Sequence, residues 1–132
     1  MPYGSTQLLF QYYYGGKMKD TLNELYEVVM SRKNEKAEGS YTCYLFEKGL
    51  DKILKKVGEE CSETIIAAKN AENSDNNEKK ADVIGEICDL FYHVTVMMAQ
   101  LGVTPDEVNA ELEKRSLKTG NLKTFHTTDK NT

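Results

Sequence analysis

Five acidic residues set out the chemistry open to this chain of 132 residues: Glu59, Glu60 and Glu63 in one stretch, Glu86 and Asp89 in another. Glu60 and Glu63 are three positions apart, as are Glu86 and Asp89. Three-residue spacing puts both members of a pair on one face of a helix. A single pair of this kind is ordinarily a solvated face. Two pairs in matching positions mean more. With Glu60 at 0°, Glu63 falls at about −60° and the apolar stripe of its helix is centred near about +80°; Glu86 and Asp89 repeat this arrangement on the next helix. Two antiparallel helices joined by a short loop are related by an approximate two-fold axis, so equally offset residues share one side. Counted from the loop, Glu63 and Glu60 lie seven and ten residues before Asn70, and Glu86 and Asp89 eight and eleven after Glu78. At ~1.5 Å per residue the four carboxylates reach one level.

Four carboxylates at one level repel each other and resist ionisation unless a cation neutralises them. A hard divalent ion suits an all-oxygen donor set. Mg²⁺, with Mn²⁺ as a substitute, shares its positions among carboxylates, waters and substrate phosphates. Lys52 and Lys56 precede Glu60 by eight and four residues and flank the acids. They are placed to meet phosphate oxygens, or to give plain i,i+4 support to Glu60. His93, four residues after Asp89, reads equally as a substrate contact, a group behind the ligands or a satisfied histidine at the core edge. A di-iron bundle needs Glu-x-x-His pairs, and neither acid pair supplies one.

The elements that must carry these groups are helical throughout. Leu22, Leu25, Tyr26 and Val29 recur at helical spacing behind a candidate N-cap, Asp20, and predict a helix to about Lys33. Ser40 caps a second start, and Gly49 breaks or bends the segment that continues to about Asn70. A third helix is expected from about Glu78 to Leu101, with the polar residues 71–77 as the turn of an antiparallel hairpin. Gly102 ends it, and Thr104-Pro105-Asp106-Glu107 opens a fourth. The expected fold is an all-α bundle of four to five helices around a hairpin of two long antiparallel helices. The stripe Leu50, Ile53, Leu54, Val57, Cys61, Ile65, Ala68 and its counterpart Val83, Ile87, Leu90, Phe91, Val94, Met98, Leu101 are too long for the short helices to cover. Completion by a homodimer, or a higher homo-oligomer, is therefore expected.

Three segments follow: an N-terminal extension 1–19, poorly ordered or foreign in origin; a domain 20–116; and a polar tail 117–132 with little regular structure. The chain is 39% apolar and 29% charged, with a net charge of −4 and both signs interspersed. That suits one globular domain and lacks the basic footprint of a nucleic-acid binder. No apolar run approaches a membrane span or a signal-peptide core, so a cytoplasmic location is expected. Cys43, Cys61 and Cys88 show no Cys-x-x-Cys spacing and read as reduced thiols, each a small buried hydrophobe.

The stretch Gly58-Glu59-Glu60-Cys61-Ser62-Glu63, followed by Glu86-Ile87-Cys88-Asp89, resembles the E-E-x-x-E … E-x-x-D signature of the MazG-like all-α nucleotide pyrophosphohydrolases. Its setting sharpens the likeness. Ser40-Tyr41-Thr42, the run Lys48 to Glu60, and Asp89-Leu90-Phe91-Tyr92-His93 resemble the phosphoribosyl-ATP pyrophosphohydrolase family over roughly residues 20–116. The chain departs from the family at Ser116-Leu117, where His-Gly is frequent.

The resemblance implies that Glu60, Glu63, Glu86 and Asp89 are Mg²⁺ ligands. It also implies hydrolysis of phosphoribosyl-ATP to phosphoribosyl-AMP and pyrophosphate, the second step of histidine biosynthesis. Glu59 and Glu60 are the candidates to accept the proton of the attacking water. Selectivity for the additional ribose phosphate is expected from Ser40, Tyr41 and Thr42 at a helix start and from Arg115, whose plainer roles are an N-cap for Ser40 and a surface charge for Arg115. The rival functions are a house-cleaning dNTP or NTP pyrophosphohydrolase with the same metal site and, more distantly, a non-enzymatic helical interaction module.

Overall fold

Asp20 opens the first helix through its side chain, which accepts a hydrogen bond from the Asn23 N–H at 3.1 Å. This satisfies one of the donors that a helix start leaves without an intrahelical acceptor. The computed structural model describes residues 20–119, so the expectations for 1–19 and for 120–132 lie outside the described residues. Helix α1 spans Thr21–Asn34, α2 Tyr41–Lys48, α3 Leu50–Ala71, α4 Asn77–Leu101 and α5 Pro105–Thr119. Among the described residues there is no strand.

Gly49 divides the second apolar segment into α2 and α3. Its φ of +87° is a backbone conformation that a side chain disfavours. The chain turns there while the Gly49 N–H still reaches the Leu45 carbonyl at 3.0 Å and its own carbonyl accepts from Ile53 at 3.2 Å. Asn76 caps α4 by accepting from the Glu78 N–H at 2.8 Å. Gly102, at φ +72°, closes it, with the Val103 N–H returning to the Met98 carbonyl at 2.9 Å in a Schellman arrangement. The Lys33 ammonium donates to the Ala99 carbonyl at 2.9 Å, tying the end of α1 to the last turn of α4. Helix α5 begins at Pro105, with Thr104 accepting from Glu107. It continues to Thr119, three residues into the tail 117–132 expected to have little regular structure, because that last turn has no apolar pattern to announce it.

The α3/α4 hairpin is the largest packing unit, α1 and α2 lie against it, and α5 touches α1 alone among the helices. The core consists of Tyr26, Val29, Leu45, Ile53, Val96 and Ala99. The buried face of the hairpin overlaps the stripe expected from periodicity only in part, through Ile53 and, packed against the core, Met98. Ile53, Val96 and Ala99 are buried, whereas Leu54, Ile65, Phe91 and Leu101 are 44, 68, 47 and 54% exposed. Helices α1 and α2 pack on the flank that carries Ile53 and Val96 and leave the other flank of the hairpin open. Cys43 is buried as expected, but Cys61 and Cys88 are exposed, since neither faces the flank that α1 and α2 cover. Among the described residues no single helix is long and apolar enough to cross a membrane.

Candidate metal centre

The hairpin brings Glu60, Glu63 and Glu86 together, with one carboxylate oxygen from each within 4.8 Å of the others. Glu60 is buried, Glu86 half-buried and Glu63 exposed, so the cluster runs from the interior to the surface. Asp89, the fourth expected ligand, is exposed and lies outside this tight group, one helical turn beyond Glu86 on α4. Its charge is still felt by Glu86.

Burial raises the Glu60 carboxyl above the usual carboxylate range, and Glu63 raises it further, while His93 and Lys56 oppose the shift. Glu86 is raised in the same way, by desolvation first and then by Glu63, Asp89 and Glu60. Glu60 Oε2 and Glu86 Oε2 are buried with no hydrogen-bond partner. Leaving a buried acceptor unsatisfied costs about 1–3 kcal/mol, and more when it is charged. Oxygen-only donors, mutual repulsion and two unpartnered oxygens fit a small hard divalent cation, and nothing in the donor set favours a soft metal.

The raised values give a testable sign. An acid whose folded value lies above its unfolded one resists ionisation in the fold. The metal-free protein should therefore lose stability as pH rises from the ordinary value of 4.5 through the raised folded values. Thermal melts in EDTA are expected to show a falling midpoint across that range, and Mg²⁺ should restore it near neutrality. A flat EDTA profile would remove the electrostatic reading of the cluster.

Lys56 is ion-paired with Glu59 at 2.9 Å and lies 3.6 Å from Glu60. That hydrogen bond, then the charges of Lys56, Lys55 and Lys52, hold Glu59 below the usual carboxylate range. Lys55 was not singled out by spacing, because it falls off the column of the acids. His93 is buried, with both ring nitrogens engaged. Its Nδ1 is 2.8 Å from the Asp89 carbonyl, which can only accept, so this nitrogen carries hydrogen. In the neutral ring Nε2 then accepts from the Tyr41 hydroxyl at 3.1 Å. Nδ1 is also 3.8 Å from Glu60. His93 thus stands beside the acids and bridges them to α2.

Ser40 accepts from the Cys43 N–H at 3.2 Å and is a working N-cap. The Tyr41 and Thr42 N–H groups, in the same first turn, have no intrahelical acceptor. Thr42 hydrogen-bonds Tyr92 across the helices. Two residues that spacing alone missed matter here. Tyr92 anchors α2, and the Thr64 hydroxyl lies 2.7 Å from the Glu60 carbonyl and 3.3 Å from the Glu86 carbonyl, between the two acid-bearing helices. Arg115 is paired with Glu111 at 2.9 Å on α5, which makes no helix contact with α3.

A helical hairpin that gathers carboxylates from facing helices defines an all-α bundle with an acidic site that could hold a metal ion. The family model described as phosphoribosyl-ATP pyrophosphohydrolase matches residues 22–116, and the chain belongs to that family. Relatives named phosphoribosyl-ATP pyrophosphatase include one from Clostridium novyi (strain NT), 50% identical over 104 residues, covering 79% of this chain and 88% of the relative. One from Listeria welshimeri is 54% identical over 97 residues, covering 74% and 86%. A third, from Pelotomaculum thermopropionicum, is 48% identical over 100 residues, covering 76% and 95%.

Proposed function

We propose that this chain hydrolyses phosphoribosyl-ATP to phosphoribosyl-AMP and pyrophosphate in histidine biosynthesis, with Mg²⁺, or Mn²⁺ in its place, held by Glu60, Glu63, Glu86 and Asp89. The observation that carries the metal assignment is the pair of buried, unpartnered oxygens, Glu60 Oε2 and Glu86 Oε2, in a three-carboxylate cluster. When bound, the ion supplies charge neutralisation for the phosphate chain and a more acidic water.

The protein's own groups divide the remaining work. Lys56 and Lys52 border the acids on α3 and steady the departing pyrophosphate. Lys56 is shared, and this links binding to proton transfer. Drawn from Glu59 onto a phosphate oxygen, it leaves Glu59 a stronger base for the water proton. Glu60 is the alternative acceptor, but as a ligand it gives up that capacity to the metal. His93 fixes Tyr41 and the start of α2. The Tyr41 and Thr42 N–H groups then meet the additional ribose phosphate, with Ser40 holding the turn that presents them. Arg115, paired with Glu111 through Nε, is the remaining candidate to meet that phosphate.

The functional unit is inferred to be a cytoplasmic homodimer acting on a small nucleotide, with neither nucleic acid nor membrane as partner. Pyrophosphate release should be measured with phosphoribosyl-ATP, ATP, dCTP and dUTP in Mg²⁺ and in EDTA. Phosphoribosyl-ATP is expected to win by about 100-fold or more in kcat/KM, since a charged group matched by dedicated donors is worth on the order of 3 kcal/mol. Equal efficiency on dCTP or dUTP would move the assignment to the house-cleaning rival.

A further inference from the structure

Three tyrosines lead away from the acid cluster in a stepped row. The Tyr41 ring lies 6.2 Å from Tyr92 and 6.0 Å from Tyr44, centroid to centroid, and each pair is inclined by only 24°. Tyr92 is half-buried, whereas Tyr41 and Tyr44 are 44 and 39% exposed. Among the described residues Tyr41 packs on Tyr92 and His93 and Tyr44 on Tyr41, and both rings remain partly exposed.

Their surroundings point to a ligand. The Tyr41 hydroxyl is bound to His93, whose ring lies 3.8 Å from Glu60, so the row is tied to the acids through its middle ring, with Tyr92 forming one end. The other end enters a depression of about 720 Å³ whose lining includes Gly39, Ser40, Tyr41 and Tyr44. The Lys36–Glu47 ion pair, at 2.8 Å, lies in the same lining. The Lys48 ammonium lies 5.8 Å from the Tyr44 centroid, close enough for a cation–π contact that helps orient this ring. The volume is within the range of small-molecule sites.

We propose that Tyr41 and Tyr44, backed by Tyr92, form the platform on which a purine base of the nucleotide stacks while its phosphates meet the cation held by the Glu60–Glu63–Glu86 cluster. The proposal rests on the metal-and-phosphate reading of that cluster and adds the base-binding surface to it. A base needs only a π face to stack on an aromatic ring, and one stacked base contributes about 1–3 kcal/mol. The row borders the cluster on the α2 side. A nucleotide anchored at the cluster therefore has these rings beside it, through the Tyr41–His93–Glu60 contacts.

The test compares Tyr44→Phe and Tyr44→Leu in the full chain by calorimetric titration with AMP, ribose 5-phosphate, inorganic pyrophosphate and Mn²⁺. Tyr44→Leu is expected to weaken AMP about tenfold, or about 1.4 kcal/mol. Ribose 5-phosphate, pyrophosphate and Mn²⁺ should stay within about twofold by the same conversion. Tyr44→Phe keeps the ring and should keep AMP affinity. Because Tyr44 is exposed, folding should survive both changes, and unchanged Mn²⁺ affinity verifies that it has. Stacking is overturned if Tyr44→Leu weakens ribose 5-phosphate as much as AMP, if Tyr44→Phe behaves like Tyr44→Leu, or if the unsubstituted chain binds AMP no tighter than ribose 5-phosphate. A failure of the metal reading appears elsewhere, as absent Mn²⁺ binding in the unsubstituted protein.

Discussion

Glu86→Gln is expected to lower turnover of phosphoribosyl-ATP by about 10²–10³-fold, the equivalent of several kcal/mol of transition-state charge stabilisation. Glu60→Gln and Glu63→Gln should fall in the same range. Gln keeps the shape of Glu and removes its charge, so helix packing is preserved while the donor set loses one anionic oxygen. The same substitutions remove repulsion. Burial and neighbouring acids hold Glu60 and Glu86 above the usual carboxylate range, and both place an unpartnered oxygen in the interior. In EDTA at neutral pH the Glu86→Gln protein should therefore melt at a higher temperature than the unsubstituted chain. Activity and metal-free stability thus move in opposite directions, which a substitution that merely damages the fold cannot do. Retained activity in any two of the three variants would discard the metal assignment.

The hairpin and the level of the acids were legible because helical periodicity and loop length are local properties. Glu60, Glu63 and Glu86 needed only a fixed turn per residue and one short connection to be placed together. Which flank of the hairpin is buried was not legible. Both flanks of α3 and α4 carry apolar residues, and the choice between them depends on where α1 and α2 come to rest. Ile53 and Val96 are buried by that docking, and Leu54 and Phe91 are left exposed by it. The role of His93 was hidden for a similar reason. Its partner, the Tyr41 hydroxyl, is 52 residues distant in sequence, and no spacing rule connects them. Thr64 read as an ordinary helix residue because its second carbonyl contact comes from the facing helix.

The protein is expected to sediment as a homodimer at micromolar concentration, and Ile65→Lys with Ile84→Lys to yield a monomer. Taking Glu60 and Glu86 each as 0°, Leu54 and Ile65 fall at about +120° and +140°, and Ile84 and Phe91 at about +160° and +140°. These four residues thus share one side of the hairpin, and all are exposed. A contiguous apolar face of this kind marks an association surface. Two Ile from each copy, each contributing about 1.5 kcal/mol or more on burial, imply a weakening of roughly 10³-fold or greater. Because the acids lie outside that face, the monomeric variant should still bind Mn²⁺. An unsubstituted chain that sediments as a monomer would reject the dimer.

The α3/α4 hairpin also bears on how the site comes into being. Every carboxylate of the cluster lies within a single stretch from Glu60 to Glu86, joined by one short connection between Ala71 and Asn77. Closing so short a loop costs little entropy, and helical hairpins rich in local contacts form quickly. Assembly of the ligand set therefore does not wait for the chain ends to find one another. The repulsion among its acids arises as soon as the two helices close, and a cation bound there would offset it from that stage on.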